Sequence, residues 1–191
     1  VNEIGAQGVF IIAAAGNENT NTPSYPASYD GVVSVSAVDL NKQRAPYSNF
    51  GSHIDVAAPG GNASVDLNSD GYGDGVLSTL ADDSSGILSP IYAFYQGTSM
   101  ATPHIAGVVA LMKAVNPALT PLNLDALLQA GTITEDLGVS GRDDSFGYGL
   151  IDALKAVQAA GSTLDPILIV SPTALNFGAS QGALTLSANN G

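Results

Sequence analysis

The chain predicts an α/β fold on a mainly parallel sheet, and three observations carry that expectation. Short, almost unbroken apolar runs stand at 9–15, 32–38 and 54–58, the form taken by strands buried on both faces. Longer segments with helical caps or helical apolar spacing stand at 99–115, 120–130 and 150–160. Strands alternating with helices indicate a sheet covered by helices.

Taken in order, residues 1–6 read as the end of a helix stopped at Gly8. The run 9–15 is a first strand, the valine-rich run 32–38 a second and 54–58 a third. Residues 76–80 and 92–95 are expected to form a hairpin-like excursion. The helix expected over 99–115 carries Pro103 at about its first turn, where a missing N–H is tolerated, and Gly107, which would allow close packing. Thr120-Pro121 reads as an N-cap followed by proline at the first helical position, and that helix ends before Gly131. An amphipathic helix is expected over 150–160, with Gly161 after it. The pattern then changes. Residues 162–166 read as a linker, and 167–170, 175–177 and 183–187 as short strands separated by proline and glycine. Those strands weakly resemble the start of an immunoglobulin-like sandwich. About 25 residues fall far short of the roughly 100 that such a sandwich needs, so the chain is expected to stop inside its next domain. Two units are therefore expected, 1–161 and 162–191.

Composition narrows the function classes. The 191 residues are 45% hydrophobic with mean hydropathy +0.22, which fits a globular protein with a good core rather than a disordered chain. With 17 acidic and 5 basic side chains the formal net charge is −12, which argues against nucleic acid and suits a protein that binds cations. No apolar stretch approaches the roughly 18 residues of a membrane span. Cysteine is absent, so there is no disulfide framework, though this does not exclude secretion. No signal peptide is visible.

The segment Gly97-Thr98-Ser99-Met100-Ala101-Thr102-Pro103-His104 puts a serine after a glycine-containing turn, at the start of a helix. The unpaired N–H groups and positive dipole end there favour negative charge developing on a substrate oxygen. An oxygen nucleophile fits that position, and so does an ordinary capping serine. Asn17 is open in the same way. It is either a turn asparagine beside Gly16 or a side-chain amide aimed at an oxyanion.

The residues from Gly97 to His104, with Ala106-Gly107, resemble the serine motif of subtilisin-like proteases, the subtilase family. Four more matches occur in the family's order: Phe10-Ile11-Ile12-Ala13-Ala14-Ala15-Gly16-Asn17-Glu18, Tyr25-Pro26-Ala27 followed by 32–39, Ile54-Asp55-Val56-Ala57-Ala58-Pro59-Gly60, and Gly147-Tyr148-Gly149-Leu150-Ile151-Asp152-Ala153. The resemblance covers about residues 1–160 and is too long for chance. It implies a subtilisin-like three-layer fold, seen in part, and a serine endopeptidase acting through an acyl-enzyme on protein or peptide substrates. It also implies a secreted or cell-surface location. Ser99 would be the nucleophile. Asn17 and the Ser99 N–H would hold the oxyanion, and Ala13, Ala14, Ala15 and Gly16 would form one wall of the primary specificity pocket. A cis peptide bond is expected before Pro26.

The family's acid and histidine motifs precede the serine in the chain, and neither is present here. The sequence therefore reads as the C-terminal part of a catalytic domain whose partner is the missing N-terminal part. His104 is five residues from Ser99, an offset that points two helical side chains in different directions, and the family uses another histidine as base. His53, in the loop before a strand, reads as a surface or packing residue.

The loop from Asp66 to Gly75 carries separate chemistry. Asp66, Asn68, Asp70 and Asp74 stand at positions 1, 3, 5 and 9 of an EF-hand-like pattern, with Gly71 at 6 and the Tyr72 carbonyl at 7. Hard oxygen donors on a sharp turn suit a structural Ca²⁺. Position 12 is Leu77 instead of glutamate, which predicts reduced affinity. The alternative is a polar, glycine-rich surface turn. The pairs Asp82-Asp83 and Asp143-Asp144 read as solvated loop charges. No organic cofactor is indicated.

Two function classes remain at this point. One is the serine endopeptidase. The other is a non-catalytic pseudoprotease or calcium-dependent binding module that has lost its acid and base. An α/β-hydrolase fails on motif, because the serine lies in Gly-Thr-Ser and not in Gly-x-Ser-x-Gly.

Overall fold

The computed structural model describes residues 1–161, so the linker and strands expected at 162–191 lie outside the described residues. The elements run α1 (Asn2–Gly5), β1 (Ile12–Ala14), β2 (Val33–Val38), β3 (Val56–Pro59), β4 (Val76–Asp82), β5 (Ser89–Tyr95), α2 (Thr98–Val115), α3 (Pro121–Gln129), β6 (Thr134–Glu135), β7 (Leu150–Ile151) and α4 (Ala153–Gly161). Five strands form one sheet in the order β1-β2-β3-β7-β6. The first four are parallel to their neighbours and β6 runs antiparallel to β7. This is the α/β architecture with a mainly parallel sheet that the apolar runs predict. β4 and β5 pair antiparallel, from Val76 opposite Tyr95 to Asp82 opposite Ser89, as the separate hairpin.

The pattern along β2 shows why these strands are apolar throughout. Val33, Val35 and Ala37 pack with Ala101, Ile105, Val108 and Met112 of α2, with Leu124 and Leu128 of α3, and with Ala156 and Ala160 of α4. Val38 enters a second cluster with Ala57, Phe146 and Leu150. Alternate residues of a strand serve opposite faces, and both faces of β2 are covered. Ser34 and Ser36 are fully buried on the second face, where the Ser36 hydroxyl donates to the Ser145 carbonyl at 2.9 Å. Burial of Ile105 and Met112 contributes ~1.5–3 kcal/mol each.

Several boundaries differ from expectation for identifiable reasons. The helix expected from residue 150 starts at Ala153, because Asp152 caps it. The Asp152 side chain accepts the Lys155 N–H at 3.0 Å and its carbonyl accepts the Ala156 N–H at 2.9 Å. That frees Leu150 to pair with Ala57 and Glu135 in the sheet. Asp143 is an organiser and not a solvated charge. Its Oδ1 accepts the Ser145 and Phe146 N–H groups and its Oδ2 that of Val139, which folds the segment covering the second face. α3 is as expected, with a reciprocal capping box between Thr120 and Asn123.

One side of the molecule is bare. β1 is an edge strand, paired only with β2 among the described residues. Beside it, Pro103, Ala106, Gly107, Ala110, Leu111 and Ala114 of α2 are exposed, Leu111 by 54%. A Cβ added at Gly107 would meet nothing within 4 Å, so the close packing expected at that glycine is not made by these residues.

Candidate active site

Parallel strands put the loops that follow them at one edge of the sheet, where open α/β folds bind ligands. Asn17 follows β1 and Gly60 follows β3. The Gly60 carbonyl accepts the Gly97 N–H at 3.0 Å, which ties the start of α2 to this edge. Gly60 has no room for a side chain. A Cβ there would stand 2.4 Å from the Ala37 Cβ and 2.8 Å from the Gly97 oxygen.

Gly97, not Ser99, is the N-cap of α2, with φ 147° and no side-chain cap. Ser99 is the second helical residue and is exposed. The capping reading of this serine is thereby removed. The Ser99 N–H, second in the helix, has no intrahelical acceptor and lies at the positive end of the helix dipole. Pro103 is the sixth helical residue and cannot donate to the Ser99 carbonyl, so the ladder stays open beneath the serine.

The Asn17 side chain is held by Thr98, a residue whose part the sequence reading missed. Asn17 Oδ1 accepts from the Thr98 N–H at 2.9 Å and from the Thr98 hydroxyl at 3.0 Å. The same hydroxyl accepts the Gly16 N–H at 3.2 Å. A backbone N–H needs an acceptor, so this closed ring fixes which end of the amide is oxygen. Nδ2 is left without a hydrogen bond among the described residues. A Cβ built on Gly97 would lie 3.6 Å from Asn17 Nδ2 and 3.6 Å from Ser99 N. Two donors, with Asn17 Oδ1 at 3.7 Å, therefore stand near one point beside an exposed serine. The hydroxyl at position 98 was the available signal, since it sits within the matched segment.

The residues expected to form a pocket wall stand in β1 and the bend after it. Ala13 is opposite Ser34 and Ala14 opposite Val35, and the buried Ala15 donates its N–H to the Val35 carbonyl at 3.0 Å. Gly16 turns the chain at φ 108°. The Tyr25–Pro26 peptide is cis, as expected.

Neither histidine is hydrogen-bonded to Ser99. His104 Nδ1 meets the Met100 carbonyl at 2.9 Å, one turn back along α2. His53 precedes β3 and so lies at the opposite edge of the sheet. It lines a cavity of about 370 Å³ with Tyr29, Asp30, Asp55, Asp125 and Gln129, a polar site that the sequence did not reveal because its walls come from separate segments. Burial pushes the Asp55 carboxyl up to about 6, against the pull of the Ser34 N–H that it accepts at 2.7 Å. Burial also raises Asp125, and burial with the Arg142 charge lowers His53.

The acidic loop is closed by its own hydrogen bonds. Asp66 accepts the Asp70 and Gly71 N–H groups at 3.1 and 3.0 Å. Asp70 accepts from Tyr72 at 2.9 Å, and Asp74 accepts from Leu67 at 2.7 Å. Tyr72 stacks on Phe94 with ring centres 5.5 Å apart, seating the loop on the hairpin. Among the described residues no three Asp, Glu or His side chains are grouped so as to hold a metal by themselves.

Comparison with known proteins places the chain in a family. The model of the subtilase family matches residues 1–149. The minor extracellular protease Epr of Bacillus subtilis strain 168 is 39% identical over 152 residues, covering 79% of this chain and 20% of that protein. An extracellular protease of Xanthomonas campestris pv. campestris is 39% identical over 162 residues, covering 84% of this chain and 25% of that one. Among solved structures, a protease from Pseudoalteromonas arctica PAMC 21717 superposes with a TM-score of 0.71 at 43% identity, covering 83% of this chain and 45% of that chain. The chain thus spans a quarter or less of the length of these two curated relatives. A family model matched over most of the chain, with a parallel sheet that brings Asn17 beside the Ser99 helix, settles its place: the chain belongs to the subtilase family.

Proposed function

We propose that the protein is a serine endopeptidase that cleaves peptide bonds through an acyl-enzyme, with Ser99 as nucleophile. The observation that carries this is the space bordered by Asn17 Nδ2 and Ser99 N beside an exposed serine. Ser99 Oγ attacks the peptide carbonyl carbon, and its proton passes to a base. The carbonyl oxygen becomes an oxyanion between the two donors, each worth about 2.7–4 kcal/mol in such sites. The intermediate collapses, the amine leaves with the proton from the base, and water repeats the sequence on the ester. Ala13 to Gly16 would flank the substrate side chain, where small residues leave space for a large one.

The base and its orienting acid have no counterpart in these 191 residues. We infer that they are carried by the N-terminal part of the same catalytic domain, packed on the open edge of β1 and the bare face of α2. Support comes from the exposed apolar residues there and from the family's acid–histidine–serine order. The 191-residue chain alone is expected to hydrolyse peptides negligibly. Robust turnover by it, sensitive to phenylmethylsulfonyl fluoride, would overturn this assignment of the base. In the protein with acid and base present, Ser99→Ala should abolish hydrolysis, and retained activity would remove Ser99 as nucleophile.

An extracellular location fits two relatives named as extracellular proteases. No described helix is long and apolar enough to cross a membrane. We propose also that the 66–74 loop takes a structural Ca²⁺ through Asp66, Asn68, Asp70, the Tyr72 carbonyl and Asp74. The donor chemistry fits a hard cation, and the Asp66 bonds to residues 70 and 71 give the sharp turn such a loop needs. Binding requires Asp74 to release the Leu67 N–H. With Leu77 at position 12, affinity is expected at the weak end of such loops, roughly 10⁻⁴–10⁻³ M. Terbium luminescence sensitised by Tyr72 should appear on titration and vanish in Asp66→Ala. Its absence in the unaltered protein would leave the loop a surface turn.

A further inference from the structure

Asn49 lies in the connection between β2 and β3, 1% exposed, and every hydrogen-bonding position of its side chain is used. Its Oδ1 accepts the Glu18 N–H at 2.9 Å and the Thr20 N–H at 3.2 Å. Its Nδ2 donates to the Ala15 carbonyl at 2.9 Å and to Glu18 Oε2 at 2.8 Å. Its backbone N–H donates to the Gly16 carbonyl at 3.0 Å. These bonds grip the chain on both sides of Asn17 without touching Asn17 itself. The fit is tight, since a Cβ on Gly16 would stand 2.3 Å from Asn49 Nδ2. Neighbouring bonds stitch the same two segments together, Asn19 N–H to the Tyr47 carbonyl at 2.9 Å and Phe50 N–H to the Thr20 carbonyl at 3.0 Å.

On the proposed reading of Asn17, we infer that Asn49 is its positioning residue. Thr98 sets the plane of the Asn17 amide, and Asn49 sets the backbone from which that amide projects. Only asparagine meets these demands. Aspartate has the shape but no donor, and would face the Ala15 carbonyl and the Glu18 carboxylate with an oxygen. Glutamine is a methylene too long for a space with no slack. Alanine takes the partner from the buried Ala15 carbonyl, from the Glu18 carboxylate and from the Glu18 and Thr20 N–H groups.

The test is a double-mutant cycle in the protein with acid and base present, with folded sites counted by active-site titration. Asn49→Ala is expected to lower kcat by roughly 10–100-fold with KM nearly unchanged, and to lower it by less than about threefold when Asn17→Ala is already present. Asn49→Asp serves as an isosteric second variant. Its loss should be partly recovered by Glu18→Gln, which restores a donor to the pair. Equal fold-losses with and without Asn17 would make Asn49 a general structural residue and overturn the inference. So would unchanged kcat, or no recovery with Glu18→Gln. If Asn17→Ala alone leaves kcat intact, the oxyanion reading fails instead, whatever Asn49 does.

Discussion

Replacing Thr98 by valine tests the hydrogen-bonded ring at the start of α2. Thr98 is fully buried, and valine keeps its shape while removing the hydroxyl. Two bonds go, the one accepted from Gly16 N–H and the one donated to Asn17 Oδ1. Leaving the Gly16 N–H without an acceptor costs about 1–3 kcal/mol of stability. The catalytic loss is smaller than removal of Asn17, because the Thr98 N–H still holds Oδ1 at 2.9 Å. About half of a donor's usual worth, ~1.4–2 kcal/mol, corresponds to roughly 10–30-fold in kcat. Steady-state hydrolysis of a fluorogenic peptide, with a thermal melt on the same sample, measures both. KM should hardly move, and Thr98→Ser should recover kcat to within about threefold. Valine with unaltered kcat would refute the ring as a positioning device. Serine as slow as valine would transfer the effect to the lost methyl group.

Three further outcomes are expected. Gly60→Ala should lower both stability and kcat, since its Cβ would press on Ala37 and on the Gly97 carbonyl that anchors the Ser99 helix; a variant with unaltered melt and rate would contradict this. Asp55→Asn should raise stability at pH 8 and leave it unchanged near pH 4. The folded-state pKa of about 6 lies above the reference 3.8, so stability from the protonated carboxyl is present below 3.8 and lost as pH rises through 6, up to about 3 kcal/mol. Asparagine cannot ionise and still accepts the Ser34 N–H, so a lower melting temperature for the variant at pH 8 would show that the carboxylate is compensated in the cavity. His104→Gln should keep kcat within about twofold, because among the described residues the imidazole bonds only to the Met100 carbonyl, and a loss above tenfold would bring it into the catalytic machinery.

The strands were legible because burial on both faces demands apolar residues at every position, and 32–38 meets that demand apart from two serines, Ser36, whose hydroxyl bonds the Ser145 carbonyl, and Ser34, whose buried hydroxyl has no partner among the described residues. Ser99 and Asn17, 82 positions apart, were each legible from their local segments, and the parallel sheet brings them together at one edge. Features made by tertiary contact were not legible. Asp152 looks like any helical aspartate until its oxygens are seen on the Lys155 and Ala156 amides, which is why the last helix begins three residues later than the sequence predicts. Asn49 reads as a loop asparagine, and its four partners come from a segment about 30 residues away. The cavity at Asp55 needs four chain segments at once.

Treating the protein, with acid and base present, with a fluorophosphonate and mapping the adduct by peptide mass spectrometry addresses the central claim most directly. The account predicts a single stoichiometric adduct on Ser99, with its rate of formation strongly reduced in Asn17→Ala. An active protein that forms no adduct, or forms it on another residue, would contradict the assignment of Ser99 as nucleophile.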